Sequence, residues 1–279
     1  WSQAGKPPEM FLPCIVLPAL FNGCPVEMQR LRAALRGPGY FVCEAEDWSL
    51  EHLVVQKAYA ASRQLHAREA SQDIGVPSWA HGRPKARPTR WCFTVSKGRA
   101  RPGERFHPGV DADIRALERH FALVAAALAG VFACALGLPR TKLAWARSAA
   151  LLRCLRYSAA SSAEHVGISS HVDFGDFTLC HSDEEGLEVH DPETGIWHAA
   201  PAGRLLVLAA MGLEAKSGGR VRAVQHRVFP PRAERFSFCS FNGVSDEHWS
   251  PFNRQRRESF RRWKLRPPRL RDATASSAA

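Results

Sequence analysis

Three residues with metal-ligand chemistry stand out by type and spacing: His171, Asp173 two positions later, and His226. Residues two apart in a strand or at its end project to the same side, so His171 and Asp173 can offer an imidazole and a carboxylate to one ion. With His226 the set becomes two His and one carboxylate, which occupies one face of an octahedron, leaves the opposite face open and suits non-haem Fe(II). Chance sets the first test. With 12 His and 27 acidic residues, an H-x-[DE] triplet is expected about once at random, and His181-Ser182-Asp183 is a second one. The triplet needs company to carry meaning.

That company is Arg235 and Ser237, again two apart, nine residues after His226. They lie in Arg235-Phe236-Ser237-Phe238-Cys239-Ser240-Phe241, whose alternation predicts a half-buried strand with Arg235 and Ser237 on one face and Phe236 and Phe238 on the other. A guanidinium binds a carboxylate bidentately, and a neighbouring hydroxyl adds a third bond to the same anion. A metal set and an anion anchor thus follow one another in one stretch, Tyr157 to Ser237.

In this arrangement the chain resembles the 2-oxoglutarate and Fe(II)-dependent oxygenases, and within them the isopenicillin N synthase-like group that includes the plant flavonoid and gibberellin oxygenases. The features that carry the resemblance are His171-Val172-Asp173, Phe177-Thr178-Leu179, Gly186-Leu187-Glu188-Val189 with Ile196-Trp197, Val224-Gln225-His226-Arg227-Val228, and Glu234-Arg235-Phe236-Ser237, matching in order and in gaps. Tyr157, fourteen residues before His171, falls where that group carries a tyrosine that touches the co-substrate. The resemblance is clear from about residue 150 to 243 and fainter upstream. Two departures stand beside it. Leu155 and Ser158-Ala159 replace the group's Asn before the tyrosine and prolines after it, and Leu208-Ala209-Ala210-Met211 replaces its Asn-Ile-Gly-Asp. Neither removes a metal ligand.

The resemblance implies a double-stranded β-helix, or jelly roll, with Fe(II) held by His171, Asp173 and His226. It implies 2-oxoglutarate as co-substrate, its far carboxylate held by Arg235, Ser237 and Tyr157. The implied reaction is a dioxygenation: molecular oxygen hydroxylates or desaturates a small organic substrate, with release of succinate and CO2. Three other readings use the same residues. A related Fe(II) oxidase needs no 2-oxo acid yet keeps an Arg-x-Ser. A nucleic-acid demethylase is permitted by charge but not favoured by the pattern around Arg235. A non-catalytic binding protein on this fold would normally have lost a ligand, and none is lost here.

The chain has 279 residues and a formal net charge of +11, with an isoelectric point near 9.7. Its length allows one large domain or at most two smaller ones. Clustered positive charge attracts polyanions, but Arg greatly outnumbers Lys and Ala is abundant, so genome composition accounts for the charge equally well. The eight cysteines have no CxxC spacing, which fits free thiols in a reducing compartment and a cytoplasmic protein, read as a monomer. No apolar run reaches bilayer-spanning length on this reading, the nearest lying within 121–138, so no membrane partner is expected. The chain starts at Trp1 and is read as a fragment, which leaves a targeting segment open.

The positioning elements follow from patterning, and the expected class is mainly β with flanking helices (α+β). Residues 9–18 predict a short buried strand. Pro25 to Arg36 predict an amphipathic helix through Met28, Leu31, Ala34 and Leu35, stopped by Gly37-Pro38-Gly39. Tyr40 to Cys43 predict a strand, and Ser49 to about Leu65 a helix. Residues 67–109 read as a long irregular segment, with Trp79, His81, Arg90, Trp91 and Phe93 as candidate substrate contacts. Asp111 or Asp113 starts the longest helix, to Leu136, with Leu117, Phe121, Val124, Leu128 and Phe132 as its core stripe.

Residues 144–241 read as strands throughout, including a hairpin around Pro192-Glu193-Thr194-Gly195 with His190 and His198 facing each other across it. His181 and Asp183 read as a polar turn. The domain expectation is a bracing, pocket-walling region over 1–110, the β-helix core with its support helix and an Arg-rich C-terminal helix over 111–272, and a disordered tail over 273–279.

Overall fold

The computed structural model describes residues 12–44, 49–70, 90–96, 108–143, 151–157, 159, 168–229 and 233–243. All of them fall in one compact unit ending at Gly243. Eleven strands are described: β1 (Cys14–Val16), β2 (Tyr40–Glu44), β3 (Arg90–Ser96), β4 (Leu151–Tyr157), β5 (Ile168–His171), β6 (Phe177–Ser182), β7 (Leu187–His190), β8 (Trp197–Ala199), β9 (Leu205–Ala209), β10 (His226–Val228) and β11 (Arg235–Asn242). The helices are α1 (Leu17–Phe21), α2 (Pro25–Arg36), α3 (Ser49–Ala70), α4 (Pro108–Leu136) and α5 (Met211–Lys216).

From β4 onward the chain winds back and forth between two sheets. One sheet runs β1-β2-β9-β6-β11-β4-β3 and the other β5-β10-β7-β8. Only the β7–β8 hairpin stays within one sheet, and every pair among β4 to β11 is antiparallel. This is the expected double-stranded β-helix. β1 and β2 extend the larger sheet at the β9 edge, and β3 extends it at the β4 edge.

The larger sheet is buried on both faces, which its sequence records. β9, Leu-Leu-Val-Leu-Ala, is apolar without alternation because neither face meets water. β11 does alternate, but the expectation of a half-buried strand is corrected: Arg235 and Ser237 are 1% exposed on the inner face, and Phe236 and Phe238 are equally enclosed on the outer one. The alternation there separates a polar inner face from an apolar outer one. On the outer face the α4 stripe packs as expected, with Leu117, Phe121, Val124, Leu128 and Phe132 all buried. Phe132 sits between Phe41 and Phe177, at ring-centroid distances of 6.2 and 5.0 Å. Burial of such a ring is worth about 1.5–3 kcal/mol.

Several expectations are corrected. Helix α4 starts earlier, at Pro108, a residue suited to a first helical turn because its missing N–H has no partner to lose there. By length and composition Ala112–Leu136 is also long and apolar enough to cross a bilayer, contrary to the sequence reading, although half of its most apolar window is buried inside this molecule. The segment 67–109 is not wholly irregular: α3 runs on to Ala70, and Arg90–Ser96 forms β3, whose ladder partners lie on β4.

The 144–241 region contains a helix, α5, because Leu213, Glu214, Ala215 and Lys216 are good helix formers, and Leu213 is fully buried. At the start of the chain, strand geometry holds only for Cys14–Val16, and Leu17 to Phe21 turn into α1. The C-terminal helix and tail expected after residue 254 lie outside the described residues, as do Trp79 and His81 and the side chains of Arg90, Trp91 and Phe93.

Candidate metal centre and anion anchor

His171 ends β5 and His226 begins β10, and the two are direct partners in the antiparallel ladder. Their ring centroids lie 4.2 Å apart. The next partners, Val228 and Ile168, are two residues along one strand and three along the other, so an irregularity in β5 re-aims His171 toward its neighbour. Asp173 follows in the turn that leads to β6. Its carbonyl accepts the Met211 N–H (3.0 Å), and its Oδ2 accepts the Thr178 hydroxyl (2.6 Å). That turn is pressed against β11, where the Asp176 N–H donates to Asn242 O at 2.6 Å. A Cβ at Gly175 would lie 2.2 Å from the same oxygen, so only glycine fits.

The three side chains converge. His171 Nε2 is 3.7 Å from Asp173 Oδ1 and His226 Nε2 is 3.7 Å from Asp173 Oδ2, and one ligand atom from each residue lies within 4.8 Å of the others. The remaining ring nitrogens face backbone carbonyls: His171 Nδ1 meets Ser169 O at 2.9 Å, and His226 Nδ1 meets Val224 O at 3.1 Å. A carbonyl can only accept, so each Nδ1 carries the proton and each Nε2 presents a lone pair to the shared space. His171 is about a third exposed, while Asp173 and His226 are buried. The ligand set therefore has one open side, and it can hold a divalent ion with positions left for other ligands.

The anion anchor lies further along the inner face. Arg235 on β11 pairs with Tyr157 on β4, and its guanidinium sits 4.9 Å from the Tyr157 ring centroid. Its Nε donates to Glu184 O (3.0 Å) and its Nη2 to Ser182 Oγ (2.6 Å). Its Nη1 is buried with no hydrogen-bond partner among the described residues. An unmet buried donor on a cation is costly, and a carboxylate supplies what is missing. Ser237 lies two residues along the same face and is equally enclosed. The residues present thus fit a 2-oxo dicarboxylate with one end at the metal set and the other at Arg235.

Between the two ends, Thr178, Cys180 and Ser182 of β6 lie beside Ser237, Cys239 and Phe241 of β11. The Cys180 and Cys239 sulfurs are 3.5 Å apart. The cysteines of the described side chains are all free thiols, as expected. Exposure rises in one direction. On β11, Arg235 and Ser237 are enclosed while Cys239 and Phe241 are partly open, and on β4, Tyr157 and Leu155 are buried while Arg153 is exposed. The inner face is thus enclosed at the anchor and more exposed toward Arg153 and Phe241.

All six site residues proposed from sequence are thus brought to one barrel interior. Other histidines are not. His181 is not in a turn but inside β6, on its outer face, where its Nδ1 lies 2.7 Å from the Tyr59 hydroxyl and burial pushes its pKa down to about 4. Asp183, just after β6, accepts the Phe236 N–H and pairs with Arg63. His190 and His198 are one position out of register, facing Trp197 and Val189 respectively, and so lie on opposite faces of the hairpin. Sequence reasoning missed Thr178 and Ser182 as supporting hydroxyls. Both sit at inner-face spacing from one another, a signal that an apolar-looking strand with two hydroxyls on one side could have given.

Comparison with known proteins agrees with this geometry. Residues 149–243 match the family model of the 2OG-Fe(II) oxygenase superfamily. Over 91 residues the chain is 35% identical to "2-oxoglutarate-dependent dioxygenase 21, chloroplastic" of Oryza sativa subsp. japonica, a match over 32% of this chain that spans 27% of that protein's length. Among solved structures, the rice dioxygenase for auxin oxidation aligns with TM-score 0.67 at 23% identity, covering 85% of this chain and 84% of the other. The Arabidopsis thaliana dioxygenase for auxin oxidation 1, in a 2-oxoglutarate binary complex, aligns with TM-score 0.68 at 19% identity, covering 85% and 94%. With a jelly-roll core, a two-His-one-Asp cluster and a buried arginine, residues 149–243 are the part of the chain that is similar to the 2OG-Fe(II) oxygenase superfamily.

Proposed function

We propose that this protein is a 2-oxoglutarate and Fe(II)-dependent dioxygenase that hydroxylates or desaturates a small organic substrate with release of succinate and CO2. The observation that carries the reading is Arg235, a guanidinium buried on the inner face of the larger sheet whose Nη1 has no hydrogen-bond partner among the described residues, in a fold that also brings three metal-ligating side chains together. His171, Asp173 and His226 would hold the iron. Bound there, iron supplies oxygen activation driven by oxidative decarboxylation of the 2-oxo acid.

The protein's own part is positioning. The backbone carbonyls of Ser169 and Val224 fix the ring orientation of both histidines, and Thr178 fixes Asp173. Arg235, kept flat between Tyr157, Ser182 and Glu184 O, orients the far carboxylate of the co-substrate, with Ser237 beside it. The closed anchor end keeps water from that carboxylate and leaves the open end for substrate and oxygen.

The test is an anaerobic titration with Fe(II) and then 2-oxoglutarate, read by the weak visible charge-transfer absorption of the chelate, in wild type and Arg235→Ala. The band is expected in wild type and weakened in the variant, with succinate released once oxygen and substrate are supplied. Bound iron without a band moves the assignment to an Fe(II) oxidase that uses no 2-oxo acid. Absence of bound iron overturns the enzyme reading.

A further inference from the structure

The inner face of β4 carries a cation that the reaction above does not use. Arg153 is the ladder partner of Cys239, so its side chain leaves the sheet on the same side as Cys239, Ser237 and Arg235, into the barrel. Its guanidinium lies 5.0 Å from the ring centroid of Phe241 on that same face. Phe241 in turn is the ladder partner of Thr178, whose hydroxyl holds Asp173. One line of side chains therefore runs from the metal set across β6 and β11 to Arg153, a span of two strand spacings, roughly 10 Å.

The surroundings of this arginine are aromatic rather than acidic. Its neighbour on the other face of β4, Arg156, is matched to Glu234, as Arg63 is to Asp183 and Arg227 to Glu188. No carboxylate among the described residues pairs with Arg153, which lies against the Phe241 ring instead. It is exposed although it sits on the inner face, because it lies at the open end of the cavity, beyond buried Tyr157 and Leu155. A cation held against an aromatic face keeps its planar edge available, and a guanidinium edge matches a carboxylate in two parallel hydrogen bonds.

We propose that Arg153, positioned by Phe241, is the substrate-recognition cation of this site, and that the substrate is a small organic monocarboxylate. Its carboxylate is held at Arg153 while a C–H bond on the same molecule lies over the open side of the metal set. This inference rests on the dioxygenase reading and deepens it by naming the substrate class. Two arginines then divide two acids by position: Arg235 at the closed end takes the co-substrate, and Arg153 at the open end takes the substrate. Acids that offer one carboxylate and a C–H bond at graded distances from it include arylacetates, arylpropionates and medium-chain alkanoates.

The experiment uses the full chain under nitrogen, loaded with Fe(II) and saturating 2-oxoglutarate, with the charge-transfer band recorded before any further ligand is added. A panel of such acids, each beside its primary amide, is then titrated calorimetrically into wild type, Arg153→Ala, Arg153→Lys and Arg156→Ala. At least one acid is expected to bind tenfold or more tightly than its amide in wild type and in Arg156→Ala, whose side chain faces the other side of the strand. Arg153→Ala should erase that preference while leaving the amide affinity and the band intact, and Arg153→Lys should restore part of it. Equal binding of acid and amide across the panel, a preference that survives in Arg153→Ala, or no acid binding to protein that shows the band, each overturns the inference. A missing band in wild type overturns the dioxygenase reading itself and this inference with it, and because it is read first the two failures are distinct.

Discussion

His171 and His226 are direct cross-strand partners, with ring centroids 4.2 Å apart. Fifty-five positions of chain separate them, yet the ladder between β5 and β10 makes their approach a matter of register rather than of loop closure. A slip by one residue would send every side chain of the strand to the opposite face. The metal set is therefore as well defined as the smaller sheet that carries it. Asp173 adds the third ligand from a turn pinned by Thr178, Met211 and Asn242.

Removal of a ligand should abolish metal binding, whereas removal of its support should weaken it. His226→Ala is expected to lose stoichiometric Fe(II) or Co(II) binding with the fold retained. Thr178→Val keeps all three ligands and frees Asp173 to rotate, so metal affinity should fall by about 10–100-fold, the range found when an outer-shell partner of a metal ligand is removed. Metal titration followed by absorption or calorimetry checks both, and wild-type affinity in Thr178→Val would show that the 2.6 Å hydrogen bond does not orient the ligand.

At the other end of the cavity the expected response is selective for co-substrate. Arg235→Lys keeps a charge but loses the planar fork, and Ser182→Ala removes the hydroxyl that fixes Nη2. Both should raise the KM for 2-oxoglutarate, Arg235→Lys by tenfold or more and Ser182→Ala by less, with Fe(II) affinity unchanged. Parallel losses of metal and co-substrate binding in Arg235→Lys would instead indicate a damaged barrel.

Much of this site was readable in the chain because it depends on residues at period-two spacing on strands. His171 with Asp173, and Arg235 with Ser237, each announce one face. The α4 stripe was legible from a different period, the helical spacing of Leu117, Phe121, Val124, Leu128 and Phe132. What escaped the sequence is what depends on partners distant in the chain. β3 is a strand because β4 offers it an edge, and the half-buried appearance of β11 hid a second buried face covered by helices. His181 looked like part of a polar turn until Tyr59, 122 residues away, supplied its hydrogen bond.

The helix layer makes a stability prediction that leaves the chemistry alone. Phe132 fills the space between Phe41 on β2 and Phe177 on β6. Phe132→Ala should cost about 3–5 kcal/mol in urea-induced unfolding, yet metal binding by the folded fraction should persist, since the ring lies on the outer face of the sheet. A loss under 1 kcal/mol on the same scale would mean that the surrounding helices collapse into the cavity.

The buried Tyr59–His181 pair predicts how acid acts on the fold. Burial pushes the His181 pKa down to about 4, below the value near 6.5 of an unfolded chain. Above pH 6.5 both states are neutral at this residue and its contribution is fully present. As pH falls from 6.5 toward 4, the unfolded chain takes up a proton that the folded protein refuses, so stability drains away by about 3 kcal/mol and then levels off. Replacing both partners, as Tyr59→Phe with His181→Leu, removes the Tyr59–His181 hydrogen bond from both sides and with it this proton uptake. The difference in unfolding free energy between wild type and the double variant should therefore shift against wild type across that pH window. Parallel stability curves from pH 7 to 4 would show that His181 is protonated as readily in the folded protein as out of it.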